Sequence, residues 1–173
     1  KFDLTVVILL QLSALSFGMY SIAQGRPVWV SYVVDRFELV RNNDLINDKA
    51  DQALPQFQNP SWLQPQYVAV KVSDNANQRN DDLFAEVMGG ISLAQRPERY
   101  VDLKQVKSLI QQRAQDLELL KNYNDPNQVE KVLAKYPMAT AFVPLKANAV
   151  DMTVLINKEN AEVVKIVDLR PWN

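Results

Sequence analysis

From Thr5 to Gln24 the chain carries no charge and reads Val6, Val7, Ile8, Leu9, Leu10, Leu12, Leu15, Phe17, Met19, Tyr20 and Ile22 among smaller residues. Wound as a helix it spans about 30 Å, the thickness of a bilayer core. Such a segment is either a retained membrane helix or a signal peptide. Ser21-Ile22-Ala23 before Gln24 offers small residues at cleavage positions. Against cleavage stand the missing Met and Asp3 in what would be a basic leader, so a retained helix is expected. The reading is therefore a membrane helix with short flanks over residues 1–26 and an α+β domain over residues 27–173, in a chain expected to be a fragment of something longer. Lys1 and Asp3 before the helix and Arg26 after it are too few to orient it.

One face of this helix differs from the others. Gln11, Ala14, Gly18, Ser21 and Gly25 recur at three- and four-residue spacing, a small and polar seam on a helix whose other faces are large. In lipid, small residues let helices approach closely, and a polar side chain needs a partner where there is no water. The seam fits packing against further membrane helices of the same chain or docking of a partner's helix.

After a pivot at Gly25–Pro27 comes VWVSYVVDRFELV, Val28–Val40, rich in the residues strands favour and read as one long strand. Val28, Val30, Tyr32, Val34, Arg36, Glu38 and Val40 share one face; Trp29, Ser31, Val33, Asp35, Phe37 and Leu39 share the other. Both faces begin apolar, which predicts a central strand covered on both sides at its start. Asp35 then stands between Val33 and Phe37 and needs a hydrogen-bonding or cationic partner, structural or functional. Asn42–Pro65 reads as a long polar excursion with a short helix near Asp44–Leu54, and Trp62 between two prolines as a plug onto the core. Asp44, Asp48 and Asp51 would share a helical face, but without a calcium-loop pattern they read as a solvated acidic face.

A second strand is predicted at Tyr67–Val72, then a polar loop at Ser73–Asn80 and a short helix at Asp81–Met88 closed by Gly89-Gly90. Asp102–Tyr123 reads as the longest soluble helix, capped by Asp102 with Gln105 and buried along Leu103, Val106, Ile110, Leu117 and Leu120. A further helix follows an Asp125 cap and Pro126, with Val129, Val132, Leu133 and Tyr136 inward, and stops at Pro137. Ala139–Lys146, Val150–Asn157 and Ala161–Leu169 read as an antiparallel meander, with Pro144 marking an edge or a bulge. Strands, then helices, then strands make an α+β fold: a membrane helix followed by a mixed, mainly antiparallel sheet packed against helices.

The 173 residues contain no His and no Cys, which removes the usual nucleophile–base pairs and the ligands zinc prefers. No phosphate-binding loop or dinucleotide fingerprint is present. Composition alone leaves a Ser–Lys dyad open, but no local signature suggests one. Paired carboxylates would have to come from Asp35, Glu38, Asp151 or Asp168, and alternation sets Asp35 and Glu38 on opposite faces. The expectation is a protein without enzymatic activity, cofactor or metal. A net charge of −1 with interspersed signs and no basic run speaks against a nucleic-acid partner.

Several segments carry a family resemblance together: Lys1-Phe2-Asp3-Leu4 before the helix; Arg26-Pro27-Val28 running to Val34-Asp35-Arg36-Phe37-Glu38-Leu39-Val40; Gly89-Gly90 with Ala94-Gln95-Arg96-Pro97 and Tyr100; Phe142-Val143-Pro144-Leu145; Asp151-Met152-Thr153-Val154-Leu155; and Val167-Asp168-Leu169-Arg170-Pro171-Trp172. In this order they resemble the type IV pilin accessory proteins, the TfpX/TfpZ family. The resemblance implies further membrane helices before Lys1, an inner-membrane location with the domain in the periplasm, and modulation of pilus assembly by action on the major pilin. It carries over no catalytic residue. On this reading Gln11, Ala14, Gly18 and Ser21 are the candidate membrane contact, and Asp35, Arg36, Arg170 and Trp172 are partner contacts or structural residues. The alternative is an inner-membrane scaffold or sensor that contacts pilus-machine components rather than pilin.

Overall fold

The computed structural model describes residues 2–71, 88 and 91–172. The loop expected at Ser73–Asn80 and the helix expected at Asp81–Met88 with its Gly89-Gly90 close lie outside these residues, Met88 excepted. Helix α1, Phe2–Gly25, is long and apolar enough to cross a membrane by length and composition, and none of the described residues buries its central turns. Its ladder satisfies the backbone internally, as a lipid environment requires. Ser13 and Ser21 donate their hydroxyls to Leu9 O and Phe17 O one turn back, at 2.8 and 2.9 Å.

The helix runs almost directly into a seven-stranded sheet. Strand β1 is Pro27–Val33, β2 Arg36–Arg41, β3 Gln66–Val70, β4 Tyr100–Val101, β5 Ala141–Lys146, β6 Met152–Asn157 and β7 Glu162–Val167. Their order is β4-β3-β1-β2-β5-β6-β7. The β1–β3 and β2–β5 pairs are parallel and the rest antiparallel, the mixed and mainly antiparallel α+β sheet the sequence predicts. The final meander forms as expected. Strand β1 is central, and every residue after Pro27 in it is buried.

The single strand predicted for Val28–Val40 is instead a tight hairpin. Val33 pairs with Arg36 across Val34 and Asp35. No Gly, Pro or Asn announces this turn. Val34 takes it at a φ of 56° while Asp35 N donates to Val33 O at 2.6 Å, a γ-type reversal. Positive φ is strained for a β-branched residue. The reversal persists because both arms are fixed: β1 is buried on both faces, and Tyr32 donates its hydroxyl to Val34 O at 3.2 Å.

Three apolar clusters hold the sheet. On one face Val30, Tyr32, Phe37, Ala69, Val143, Leu145, Val154 and Ile156 close around Ile110 of α3, Lys107–Arg113. On the opposite face of β1 and β3, Trp29, Phe57 and Tyr100 meet edge to face with centroids 5.5 to 6.0 Å apart. Phe57 lies on α2, Pro55–Gln58, and takes the plug position predicted for Trp62, which is 74% exposed. The third cluster packs α4, Pro126–Leu133, through Val129 against Phe142, Leu155 and Leu169. Asp125 caps α4 by accepting Asn127 N at 2.8 Å.

Two helical expectations fail locally. Asp44–Leu54 forms only 3-10 turns at Asn42–Asp44 and Ala50–Gln52, so Asp44, Asp48 and Asp51 share no helical face. The long helix at Asp102–Tyr123 is cut into a 3-10 turn Leu103–Val106, α3 and a 3-10 turn Leu117–Asn122. Strand β5 is the cause. It pairs with β2 only at Leu145 and Lys146, so its first half offers unpaired backbone. Gln115 leaves the helix to fill that place, exchanging two backbone hydrogen bonds with Phe142 at 2.8 and 2.9 Å.

Candidate functional site

Two regions collect the singled-out residues, one at each end of β1. At the first end α1 is joined to the sheet. Asn42 N donates to Arg26 O at 3.0 Å, and Asn42 Nδ2 donates to Gln24 Oε1 at 2.6 Å. Arg26 folds back, its Nη1 donating to Ala23 O at 2.8 Å in the unsatisfied last turn of α1. The pivot is thus tied to the 3-10 turn after β2 and is not a free hinge. A Cβ placed on Gly18 or Gly25 meets nothing within 4 Å. At about 100° per residue, Gln11, Ala14, Gly18, Ser21 and Gly25 fall in a stripe about 80° wide. Gln11, Ala14 and Ser21 of that stripe are exposed among the described residues.

The second region is a cleft where β1 and β2 reverse, about 20 Å along β1 from the helix joint. Asp35, Arg36, Arg113, Gln115, Pro144 and Trp172 line a space of about 350 Å³. The structure therefore brings together three of the four tail and hairpin residues singled out from sequence, and adds Arg113 and Gln115. The cleft exists because β2 and β5 separate here. Phe142 directs its N–H and C=O toward Gln115, and strand alternation directs the backbone of Pro144 the same way, into the gap. Proline lacks the N–H that such a position would leave unpaired. The edge expected at Pro144 is thus real locally, although β5 is an interior strand.

Asp35 is not the buried strand carboxylate the sequence predicts. It sits exposed on the turn, 3.9 Å from Arg36 Nη1. The buried acid is Glu38, which accepts from Arg36 Nε at 3.2 Å and from Ser92 Oγ at 2.6 Å. Arg36 is thereby tethered to the sheet. Arg113 has no hydrogen-bond or carboxylate partner among the described residues, which leaves a cation on the rim of the cleft. Burial, with Asp35 adding to it and Arg113 opposing, raises the Tyr32 phenol to about 12, so the hydroxyl stays a proton donor to the Val34 carbonyl.

Trp172 is fixed in orientation. Its Nε1 donates to Asp151 Oδ2 at 2.8 Å, and Asp151 Oδ1 accepts Ala147 N at 2.9 Å. One part of the ring is covered and the rest faces the cleft. Arg170 is committed inside the chain: its side chain donates to the Asp151 carbonyl and to the Asp168 carboxylate, and its backbone N donates to Asn124 Oδ1 at 2.7 Å. Arg170 therefore holds the tail in place, while Trp172 is presented. Asp151 and Asp168 serve that anchoring.

Comparison with known proteins finds likeness along almost the whole chain. The fimbrial assembly protein of serogroup E1 from Dichelobacter nodosus is 29% identical over 174 residues, which cover 96% of this chain and 67% of that protein. The serogroup I protein of the same organism is 28% identical with the same coverage. The chain is similar to fimbrial assembly proteins. A third, from serogroups C1 and C2, is 37% identical over 51 residues, 30% of this chain and 39% of that protein. No family model and no solved structure matches the chain. These likenesses support a fimbrial assembly family and a role in fimbrial biogenesis.

Sequence reasoning missed Arg113, Gln115 and the burial of Glu38. Arg113 and Gln115 look like solvated positions on a long helix. The available signal was Asp116, a second helix cap inside the predicted helix, which accepts Glu118 N at 3.0 Å.

Proposed function

We propose that the chain is a membrane-bound accessory factor for type IV pilus assembly, of the TfpX/TfpZ kind, that binds the major pilin before or during its incorporation. The observation that carries this reading is the likeness to fimbrial assembly proteins over 96% of the chain. The proposed setting is the bacterial inner membrane, with the sheet domain in the periplasm and α1 as the last of several membrane helices. An unassembled pilin has the same layout, a membrane helix bearing a head. The accessory protein meets it twice: Gln11, Ala14, Gly18 and Ser21 receive the pilin helix, and the cleft with Asp35, Arg36, Arg113 and Trp172 receives the head. Arg and Trp are frequent anchors of protein interfaces. Two weak contacts on one molecule make the second effectively intramolecular. No step of this role calls on a catalytic residue or a cofactor.

The test is co-purification of the major pilin with the full-length protein from mild detergent, with photo-crosslinkers at Ala14, Gly18 and Trp172. Crosslinks to pilin at all three positions are expected. Because a Cβ at Gly18 meets nothing within 4 Å among the described residues, Gly18→Leu should leave the fold intact and lose pilin capture. Abundant, folded protein that crosslinks no pilin at any position overturns the reading.

A further inference from the structure

The loop between α2 and β3 carries two large apolar side chains that the fold leaves bare. Trp62 is 74% exposed and Leu63 96% exposed, in a domain that buries its other two tryptophans wholly or in part. Pro60 and Pro65 flank them and restrict the loop. The position of this loop is set by the sheet. Strand β3 runs parallel to β1 with Gln66 opposite Trp29, so the loop arrives at the end of the sheet that carries α1.

There Trp62 meets Arg26, whose guanidinium carbon lies 4.1 Å from the ring centroid. The same guanidinium reaches back to Ala23 O, toward the apolar part of α1. The indole is therefore held level with the last turn of α1, where the apolar run gives way to polar residues. In a membrane this level is the boundary between headgroups and acyl chains. Tryptophan concentrates there because its ring is apolar and its N–H polar, and Arg extends there toward lipid phosphate.

We infer that Trp62 and Leu63, with Arg26, form a second membrane contact: a wedge that dips into the headgroup boundary beside α1 and fixes the domain's tilt on the bilayer. The occupant of this bare patch is the lipid surface itself. Three features select it: the patch adjoins the membrane helix, its cation is of the sign that phosphate attracts, and its two apolar groups stand at the depth where lipid begins. The inference rests on α1 spanning a membrane.

The absence of cysteine from the chain allows single labelling sites. Nitroxide labels are placed at Leu63→Cys, at Leu12→Cys within α1 and at Lys131→Cys on exposed α4, in the full chain reconstituted into phosphatidylcholine/phosphatidylglycerol vesicles. Collisional accessibility to oxygen and to a water-soluble nickel chelate is then compared. The Leu12 label should be deep and the Lys131 label aqueous. The Leu63 label should lie between them, about 5–10 Å below the phosphates, and return to the aqueous value when Trp62→Ser is added. A Leu63 label as aqueous as that at Lys131, with the Leu12 label deep, overturns the wedge and leaves the anchor intact. An aqueous Leu12 label overturns the membrane helix, and the wedge with it.

Discussion

Asp44 carries the most tightly bound carboxylate near the helix joint. Arg41 Nε and Nη2 donate to its two oxygens at 2.9 and 2.8 Å, and Arg41 N adds a third bond at 3.2 Å. The hydrogen bond from the Arg41 side chain is the main cause holding the carboxyl below its ordinary range. A carboxyl depressed on folding contributes stability that is fully present above its unfolded pKa and lost as pH falls through its folded one. Asp44→Asn should therefore lower the midpoint of thermal unfolding in detergent at neutral pH. The gap to the parent protein should close as pH falls below about 4, the ordinary carboxyl range. A gap that persists to lower pH would show the pair to be irrelevant. The pair bears on function because Arg41 is opposite Pro27, the last residue of the pivot. At this scale the sequence was legible only where chemistry is local. The cap Asp125 and the small seam of α1 could be read directly. The environments of Asp35 and Glu38 could not, because a turn two residues long exchanged which of them is buried.

Among the elements, one side chain ties the tail to the turn before α4. Asn124 accepts Arg170 N through Oδ1 at 2.7 Å, and its Nδ2 donates to Arg170 O at 2.9 Å and to Leu120 O at 2.8 Å. It staples the segment after β7 to the 3-10 turn before α4, and so sets where Trp172 stands. Asn124→Ala should cost about 2 kcal/mol, the loss of partly buried hydrogen bonds that no other group replaces. It should also shift Trp172 emission to the red, read as the difference spectrum against Trp172→Phe in each background. Lost stability without that shift would mean the tail is held by other contacts. Elements with a strict period were legible: the alternation of Met152, Val154 and Ile156 gave the meander, and the 3.6-residue spacing after Pro126 gave α4. Elements shaped by partners distant in sequence were not. Leu103, Val106, Ile110, Leu117 and Leu120 are all inward-facing as predicted, yet they serve two different clusters. The backbone between them is diverted by the open half of β5. Likewise Trp62 between prolines looks like a core plug until Phe57 is seen to hold that position.

For the molecule as a whole, the stiffness of the joint decides whether two weak contacts can act together. Helix α1 passes into β1 with Asn42 bonded to Gln24 before the pivot and to Arg26 within it, so the seam and the cleft keep a fixed separation. A rigid spacer whose span matches the partner gives a high effective concentration for the second contact, and a flexible one dilutes it. If pilin is held at both ends of β1, inserting about ten Gly and Ser residues between Gly25 and Arg26 should weaken pilin capture by about tenfold or more, although every contact residue is retained. Gly18→Leu and Trp172→Ala should each weaken capture in the parent protein. In the insertion variant each should matter less, because a contact that is only loosely coupled to the other adds less to capture. Titrating pilin against the three single variants and the two combinations in nanodiscs measures all of these terms. Capture that is insensitive to the insertion would mean that one contact suffices, and the second half of β1 would then need another purpose.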